Sequence, residues 1–169
     1  EAAQKLKKDQ ENAAIEALSL WNKAKPEMGE HKYLRDKNIK PHGVKTDNFN
    51  LLIPMYNPDK KLCSIQTINP NGDKRFIKGG RKQGCYCPIG KPDGIIYLAE
   101  GFATAATIHE TTGHAVAVSF SANNLKPVAI EIRSKYPNIK IILCADNDQF
   151  NEINTGILDA TEAAREVDG

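Results

Sequence analysis

Two short acidic motifs stand out in this chain of 169 residues: Glu100-Gly101 and Asp146-Asn147-Asp148. Each follows an apolar run, Ile95 to Ala99 for the first and Ile139 to Ala145 for the second. Carboxylates are hard oxygen donors. Brought to one place, Glu100, Asp146 and Asp148 suit a magnesium ion, which takes oxygen ligands, keeps several waters and often bridges to phosphate oxygens. Taken singly, each motif has an ordinary explanation. A Glu at a strand end is often only solvated, and an Asp-x-Asp after a strand is often turn or cap chemistry. A third group is cationic: Lys74, Arg75, Lys78, Arg81 and Lys82 place five cations in nine residues, interrupted by Gly79-Gly80. Cations there fit the phosphates of a nucleoside triphosphate or a template strand, and glycine lets backbone approach a ligand closely. A lysine-rich hairpin that guards a sheet edge is the alternative account.

The acidic motifs matter only if the fold brings them together. From Ile95 onward the pattern is β-α-β-α-β-α. Ile95 to Ala99 is a short continuous apolar run, as in a strand buried on both faces; Ala115 to Ser119 is read as a second buried strand and Ile139 to Ala145 as a third. Phe102 to Thr112, Lys126 to Tyr136 and Thr155 to Val167 are predicted helices between and after them. Gly113 stops the first, Pro127 lies in the first turn of the second with Asn124 or Leu125 near its cap, and Asn123 and Asn124, which follow the second strand and could face the site, are read as capping residues. Alternating strands and helices imply a parallel sheet. In such sheets functional groups collect at the carboxyl ends of strands, where Glu100 and Asp146 fall.

The first half has another character. Glu1 to Lys25 reads as an amphipathic helix with Ala13, Ala17, Leu20 and Ala24, together with Ala14, Leu18 and Trp21, on one face, ended by Pro26 and Gly29. A short helix is expected over His31 to Lys37. Phe49 to Met55, Leu62 to Ile68 and Arg75 to Lys78 are predicted strands separated by Asn-Pro-Asp and Asn-Pro-Asn-Gly-Asp turns. They form a small antiparallel meander. Gly84 to Gly94 reads as a loop that marks a boundary. The expected organisation is a helical segment over 1–40, a basic β-meander over 41–94 and an α/β domain over 95–169.

Charge divides along the same line. Residues 1–90 carry 17 Lys/Arg against 10 Asp/Glu, and residues 91–169 carry 6 against 11. A basic half suits a polyanion and an acidic half suits bound cations. The two are expected to face each other across one groove, with Arg75, Lys78, Arg81 and Lys82 toward Asp146. Cys63, Cys85, Cys87 and Cys144 do not make the two ligand pairs of a structural zinc site, so free thiols and no zinc are expected. His109 and His114 flank the end of a helix and read as surface or cap residues. Gly84 to Lys91 has the wrong spacing for a phosphate-binding P-loop. No apolar run approaches the roughly 20 residues of a membrane span, and the charged N-terminal stretch has no apolar signal core. A cytoplasmic protein is expected.

Glu100-Gly101 after a buried strand, with Asp146-x-Asp148 two strands later, resembles a Toprim domain. The stretches Glu100-Gly-Phe-Ala-Thr-Ala-Ala-Thr-Ile and Ala145-Asp-Asn-Asp, with Asn154-x-Gly156 and Ala163-Ala164, are similar to plasmid- and phage-type DNA primases. Ile53-Pro54, Leu62 to Ile68 and Lys74 to Lys82 resemble the upstream part of their core. Cellular replicative primases carry a further Asp four residues after the first acidic motif; Thr104 stands there in this chain. The Toprim sheet usually has one more strand after the last helix, so a C-terminally truncated domain is expected.

The resemblance implies an α/β fold: a Toprim-like, mostly parallel sheet flanked by helices, preceded by a smaller helical and antiparallel β-meander part. It implies a nucleotidyltransferase of the primase type, making short RNA primers on single-stranded DNA. Mg2+, replaceable by Mn2+, would sit on Glu100, Asp146 and Asp148, which would also be the catalytic residues. Lys74, Arg75, Lys78, Arg81 and Lys82 would bind nucleotide or template. Expected partners are single-stranded DNA, nucleoside triphosphates and a replicative helicase. A Toprim nuclease and a non-catalytic nucleic-acid-binding module are the competing readings.

Overall fold

A computed structural model describes residues 1–146 and 155–168. The chain divides into two compact units, Glu1–Cys85 and Tyr86–Gly169. Among the described residues, no helix is long and apolar enough to cross a membrane.

The first unit opens with α1 (Ala2–Lys23), followed by β1 (Lys25–Pro26), α2 (Lys32–Lys37), β2 (Lys45–Thr46), β3 (Leu51–Tyr56), β4 (Leu62–Ile68) and β5 (Lys74–Phe76). The strands pair antiparallel in chain order, β1-β2-β3-β4-β5. From β3 to β5 the connections are short turns, which is why β-forming residues and the turn signals between them located the three longer strands. The two-residue strands β1 and β2 carry too little pattern to be read. Most of the α1 stripe packs on the sheet: Ala13 and Ala17 are buried against Leu52, Ile65 and Ile77, with Leu20, Trp21 and Ala24 beside them, whereas Leu18, expected on the same face, falls on its flank and is exposed. Small side chains on that stripe let the helix lie close to the strands. Helix α1 and the meander therefore share a core.

The second unit contains β6 (Cys87–Ile89), β7 (Ile95–Ala99), α3 (Phe102–Thr112), β8 (Ala115–Val118), a 3-10 turn (Ala122–Asn124), α4 (Leu125–Lys135), β9 (Lys140–Cys144) and α5 (Thr155–Val167). Its sheet runs β6-β8-β7-β9. The β7–β8 and β7–β9 pairs are parallel, and β6 is antiparallel to β8. Alternate residues of each strand face opposite helical layers. Ile96, Leu98, Ala115, Ala117 and Ile141 join Leu125, Val128, Ala129 and Ile132 of α4 and Ala160, Ala163 and Val167 of α5 in one core. On the other face α3 packs against β6, β7 and β8 and buries Phe102, Ala105 and Ala106. Burial on both faces explains why the strands read as unbroken apolar runs.

Strand β6 corrects the reading of Gly84 to Gly94 as a loop. Its glycines and prolines suggested a linker, but Pro88 sits on an edge strand, where a missing N–H is tolerated. Because β6 pairs with β8, the unit boundary lies at Cys85/Tyr86 and not at Gly94/Ile95.

Arg133 fastens α5 to this unit. Its guanidinium donates to the carbonyls of Val167 (2.9 Å), Pro137 (2.9 Å), Ile139 (2.6 Å) and Asp168 (3.4 Å). Arg133→Ala strands those carbonyls and should cost about 1.5–3 kcal/mol, the range for hydrogen bonds to a charged group. Urea unfolding checks this as a lower midpoint at unchanged slope. A loss below about 0.5 kcal/mol, the level of an ordinary surface change, would mean the fork does not hold α5.

Candidate active site at the carboxyl rim of the sheet

The rim is built on β7, the strand between β8 and β9. Its ladder with β9 pairs Ile95 with Lys140 and ends at Ala99 with Cys144. Glu100 lies one residue beyond that ladder and Asp146 two residues beyond it. Neighbouring strands are about 4.8 Å apart, so the two carboxyl-bearing residues emerge side by side on one rim. Glu100 is half-buried, and its Oε1 has essentially no solvent exposure. Asp146 is exposed. The predicted third carboxylate, Asp148, and the motif residue Asn154 lie outside the described residues. Among the described residues, no three His, Cys, Asp or Glu side chains form a metal cluster.

Several groups fix the position of Glu100. Gly101 is the N-cap of α3 at φ −102° and ψ 150°, an extended conformation that any residue adopts. The strand-to-helix turn therefore does not itself require glycine. On the other side, the chain leaving β8 stays bonded to β7. Ser119 donates its N–H to Ala99 O (2.8 Å), and Phe120 donates to Glu100 O (2.8 Å). Asn124, buried, donates from Nδ2 to Ser119 O at 2.8 Å. Phe120 is left-handed at φ 70°, which costs a bulky residue on the order of 1–3 kcal/mol. Strain of that size persists only where neighbours over-determine it. Here the Ser119 and Phe120 bonds to β7 do so, and they hold the Glu100 carbonyl in place. The sequence showed Ser119-Phe120-Ser121 at a strand end, but nothing in it signalled a left-handed phenylalanine.

Asp146 is braced differently. A Cβ added to Gly156, in the first turn of α5, would lie 2.1 Å from Asp146 O and 3.1 Å from its carbonyl carbon. The backbone of α5 thus abuts the backbone at Asp146, and only glycine permits it. Gly156 entered the sequence reading as part of a motif, without this reason.

The remaining predicted residues sit elsewhere. Lys74 and Arg75 lie on β5, the edge strand of the first unit, and Lys78, Arg81 and Lys82 lie in the segment after it. All but Arg81 are classed as exposed, and Arg81 is half-buried. Arg81 donates from Nε to Gln83 O at 3.1 Å. Lys82 Nζ stands 3.9 Å over the Phe76 ring. His109 and His114 belong to the opposite rim. His114 precedes β8 and meets Asp93 at 3.1 Å, and His109 Nδ1 contacts His114 O at 2.7 Å. They tie the end of α3 to the amino ends of the strands, as cap residues do.

Residues 95–168 match the Toprim domain family. Over most of its length the chain is similar to plasmid-type DNA primases. It is 38% identical over 149 residues to DNA primase TraC of Escherichia coli, covering 81% of this chain and 14% of that protein. A second Escherichia coli DNA primase TraC is 34% identical over 149 residues, covering 81% and 10%. The chain thus spans only a small part of the curated relatives it matches. Among solved structures, the primase fragment of the bacteriophage T7 primase-helicase protein superposes with a TM-score of 0.62 at 13% identity, covering 87% of this chain and 64% of that one. A chain from the complex of T7 lagging-strand DNA polymerase with primase domains of two gp4 subunits, an RNA/DNA hybrid and dTTP gives 0.56 at 16% identity, covering 78% and 72%. At such identities these two show likeness of fold.

Alanine is favoured over glycine in a helix by about 1 kcal/mol, so Gly156→Ala would ordinarily stabilise α5. A Cβ only 2.1 Å from the Asp146 carbonyl oxygen reverses the sign. A net loss of about 1–3 kcal/mol is expected, typical of overpacking, measured by thermal or urea unfolding. A stabilised variant would refute the close approach.

Proposed function

We propose that this chain is the catalytic core of a DNA primase, which makes short RNA primers on single-stranded DNA. The observation that carries the reading is the side-by-side emergence of Glu100 and Asp146 on the rim of a Toprim sheet. The TraC relatives, named DNA primases, support it. In the reaction the 3′-hydroxyl oxygen of one nucleotide attacks the α-phosphorus of the next triphosphate. A new oxygen–phosphorus bond forms, the α–β bridge breaks and pyrophosphate leaves.

Glu100, Asp146 and Asp148 supply only hard oxygens, a donor set that fits Mg2+ or Mn2+ and not a thiophilic metal. Bound there, such an ion neutralises phosphate charge and lowers the pKa of a coordinated oxygen. The chain's own residues do the positioning. Glu100, with Oε1 withdrawn from solvent, offers a donor held by the strand end. Exposed Asp146 can exchange between water and a ligand. Lys74, Arg75, Lys78, Arg81 and Lys82 contact the phosphates of triphosphate or template. Single-stranded DNA and nucleoside triphosphates are the partners of this reading. A replicative helicase is a further one, by likeness to a primase-helicase protein.

Labelled-triphosphate extension on single-stranded DNA with Mg2+ tests the proposal. Primer synthesis is expected; loss of the strand would indicate a nuclease, and binding without synthesis a non-catalytic module. Glu100→Gln, Asp146→Asn and Asp148→Asn should each lower synthesis by at least about 100-fold, roughly 2.7 kcal/mol of barrier. Stability should change by no more than about 0.5 kcal/mol for the exposed Asp146. Retained synthesis in all three would remove the acidic rim from the mechanism. Arg81→Ala with Lys82→Ala should weaken single-strand binding and flatten its salt dependence by about 0.7 per lost phosphate contact. Unchanged affinity and slope would leave these residues as edge-strand protection.

A further inference from the structure

Cys63 and Cys85 are separated by 21 residues in sequence, yet their thiols meet within the first unit. The β3–β4 ladder pairs Met55 with Ser64 and Tyr56 with Leu62, leaving Cys63 as the extra residue of a β-bulge. A bulge re-aims the side chain it carries. Cys63 Sγ lies 3.5 Å from Lys61 O, and the residue is only half-buried. The segment after β5 folds back over this spot. Ile77 N–H bonds to Ile65 O and Gly80 N–H to Ile77 O. Gly80 presses on Ser64 so closely that a Cβ on it would sit 2.4 Å from Ser64 Oγ. The turn then closes with Cys85 N–H on Lys82 O at 2.9 Å. This brings the fully buried Cys85 thiol into side-chain hydrogen-bonding contact with Cys63. Neither cysteine is in a disulfide.

We propose that Cys63 and Cys85 form a reversible thiol–disulfide site, with Cys63 as the peroxide-reactive thiol and Cys85 as the resolving thiol. The local charge suits these roles. The Cys85 thiol, Arg81 on the turn and Lys61 beside the bulge draw Cys63 down to about 6, against the opposing effect of its partial burial. Burial pushes Cys87 up to about 12 and raises Cys144 as well. Asp9, one of the three carboxylate residues of α1, packs on Gly79. A thiolate present at neutral pH and reachable from solvent is what oxidation selects.

The chemistry balances with a peroxide as oxidant. The Cys63 thiolate attacks one peroxide oxygen; an S–O bond forms, the O–O bond breaks, and hydroxide leaves. The Cys85 thiol then gives up its proton and its sulfur attacks Cys63. The S–S bond forms, the S–O bond breaks, and the leaving oxygen departs as water. With hydrogen peroxide, two thiols yield one disulfide and two waters. A small dithiol reverses the process by exchange. The disulfide would pin the segment carrying Arg81 and Lys82 to β4. That consequence rests on the phosphate-contact reading above; the bond itself does not.

Peptide mapping of the purified chain after brief hydrogen peroxide treatment tests the site. A linked Cys63–Cys85 peptide is expected. Thiols titratable after denaturation should fall from four to two and return with dithiothreitol. Before oxidation, iodoacetamide should label Cys63 ahead of Cys87 and Cys144, with a rate that rises through about pH 6 and levels above it. Cys63→Ser should abolish the linked peptide, and Cys85→Ser should leave Cys63 as a trappable sulfenic acid. If Cys85→Ser fails to fold, the wild-type map still decides. No linked peptide, or oxidation falling first on Cys144, overturns the proposal. Loss of primer synthesis without the link would bear only on the function reading.

Discussion

The candidate site depends on the parallel register of β9 against β7. Ala99 stands opposite Cys144, so the two chains leave the sheet together and deliver Glu100 and Asp146 to the same rim. A slip of one residue would turn every β9 side chain to the other face. Ile141 would leave the core it shares with Ile96 and Leu98, and Asp146 would move along the strand axis by about 3.3 Å. The hydrophobic pattern that buries β9 is therefore the same constraint that sets the spacing of the carboxylates. Burial energy specifies the geometry, and the acidic residues inherit it.

That dependence explains what was legible in the sequence. Strands buried on both faces and the helices between them announce themselves as apolar runs and 3.6-residue periods. The bounds of β7, α3 and α5 accordingly agree with the reading of residues 95–112 and 155–167. Glu100 and Asp146 could be placed at strand ends for the same reason. Their adjacency was a separate matter. In chain order β8 lies between β7 and β9, whereas in the sheet β7 lies between β8 and β9. Strand order comes from how α3, α4 and α5 cover the two faces, and no local pattern encodes it. Resemblance to a Toprim domain, not periodicity, bridged that step.

The unread parts share a physical cause. Strand β6 has three residues, one of them proline, so composition pointed to a loop and only pairing with β8 makes it a strand. The Cys63–Cys85 contact needs a bulge and a folded-back turn, each a tertiary event across 21 intervening residues. The same holds for Phe120, whose left-handed backbone answers to bonds with β7 and not to its own preferences. The cationic run was plain in composition, but its role cannot be separated from edge protection by pattern, because both uses want exposed lysine and arginine on an outer strand.

Helix α5 links stability to the rim. At its start, Gly156 brings backbone against the backbone of Asp146. Along its length, Ala160 and Ala163 are small enough to let it sit close to α4. At its end, Arg133 of α4 collects the carbonyls of Val167 and Asp168. A helix held at both ends and packed through alanines has little room to shift. Close-packed interiors transmit displacement instead of absorbing it, so a change at the Arg133 end is felt along the helix axis at Gly156. The position of Asp146 is thereby tied to the core of the whole unit, and substitutions far from the rim should alter the carboxylate geometry in proportion to how far they let α5 move.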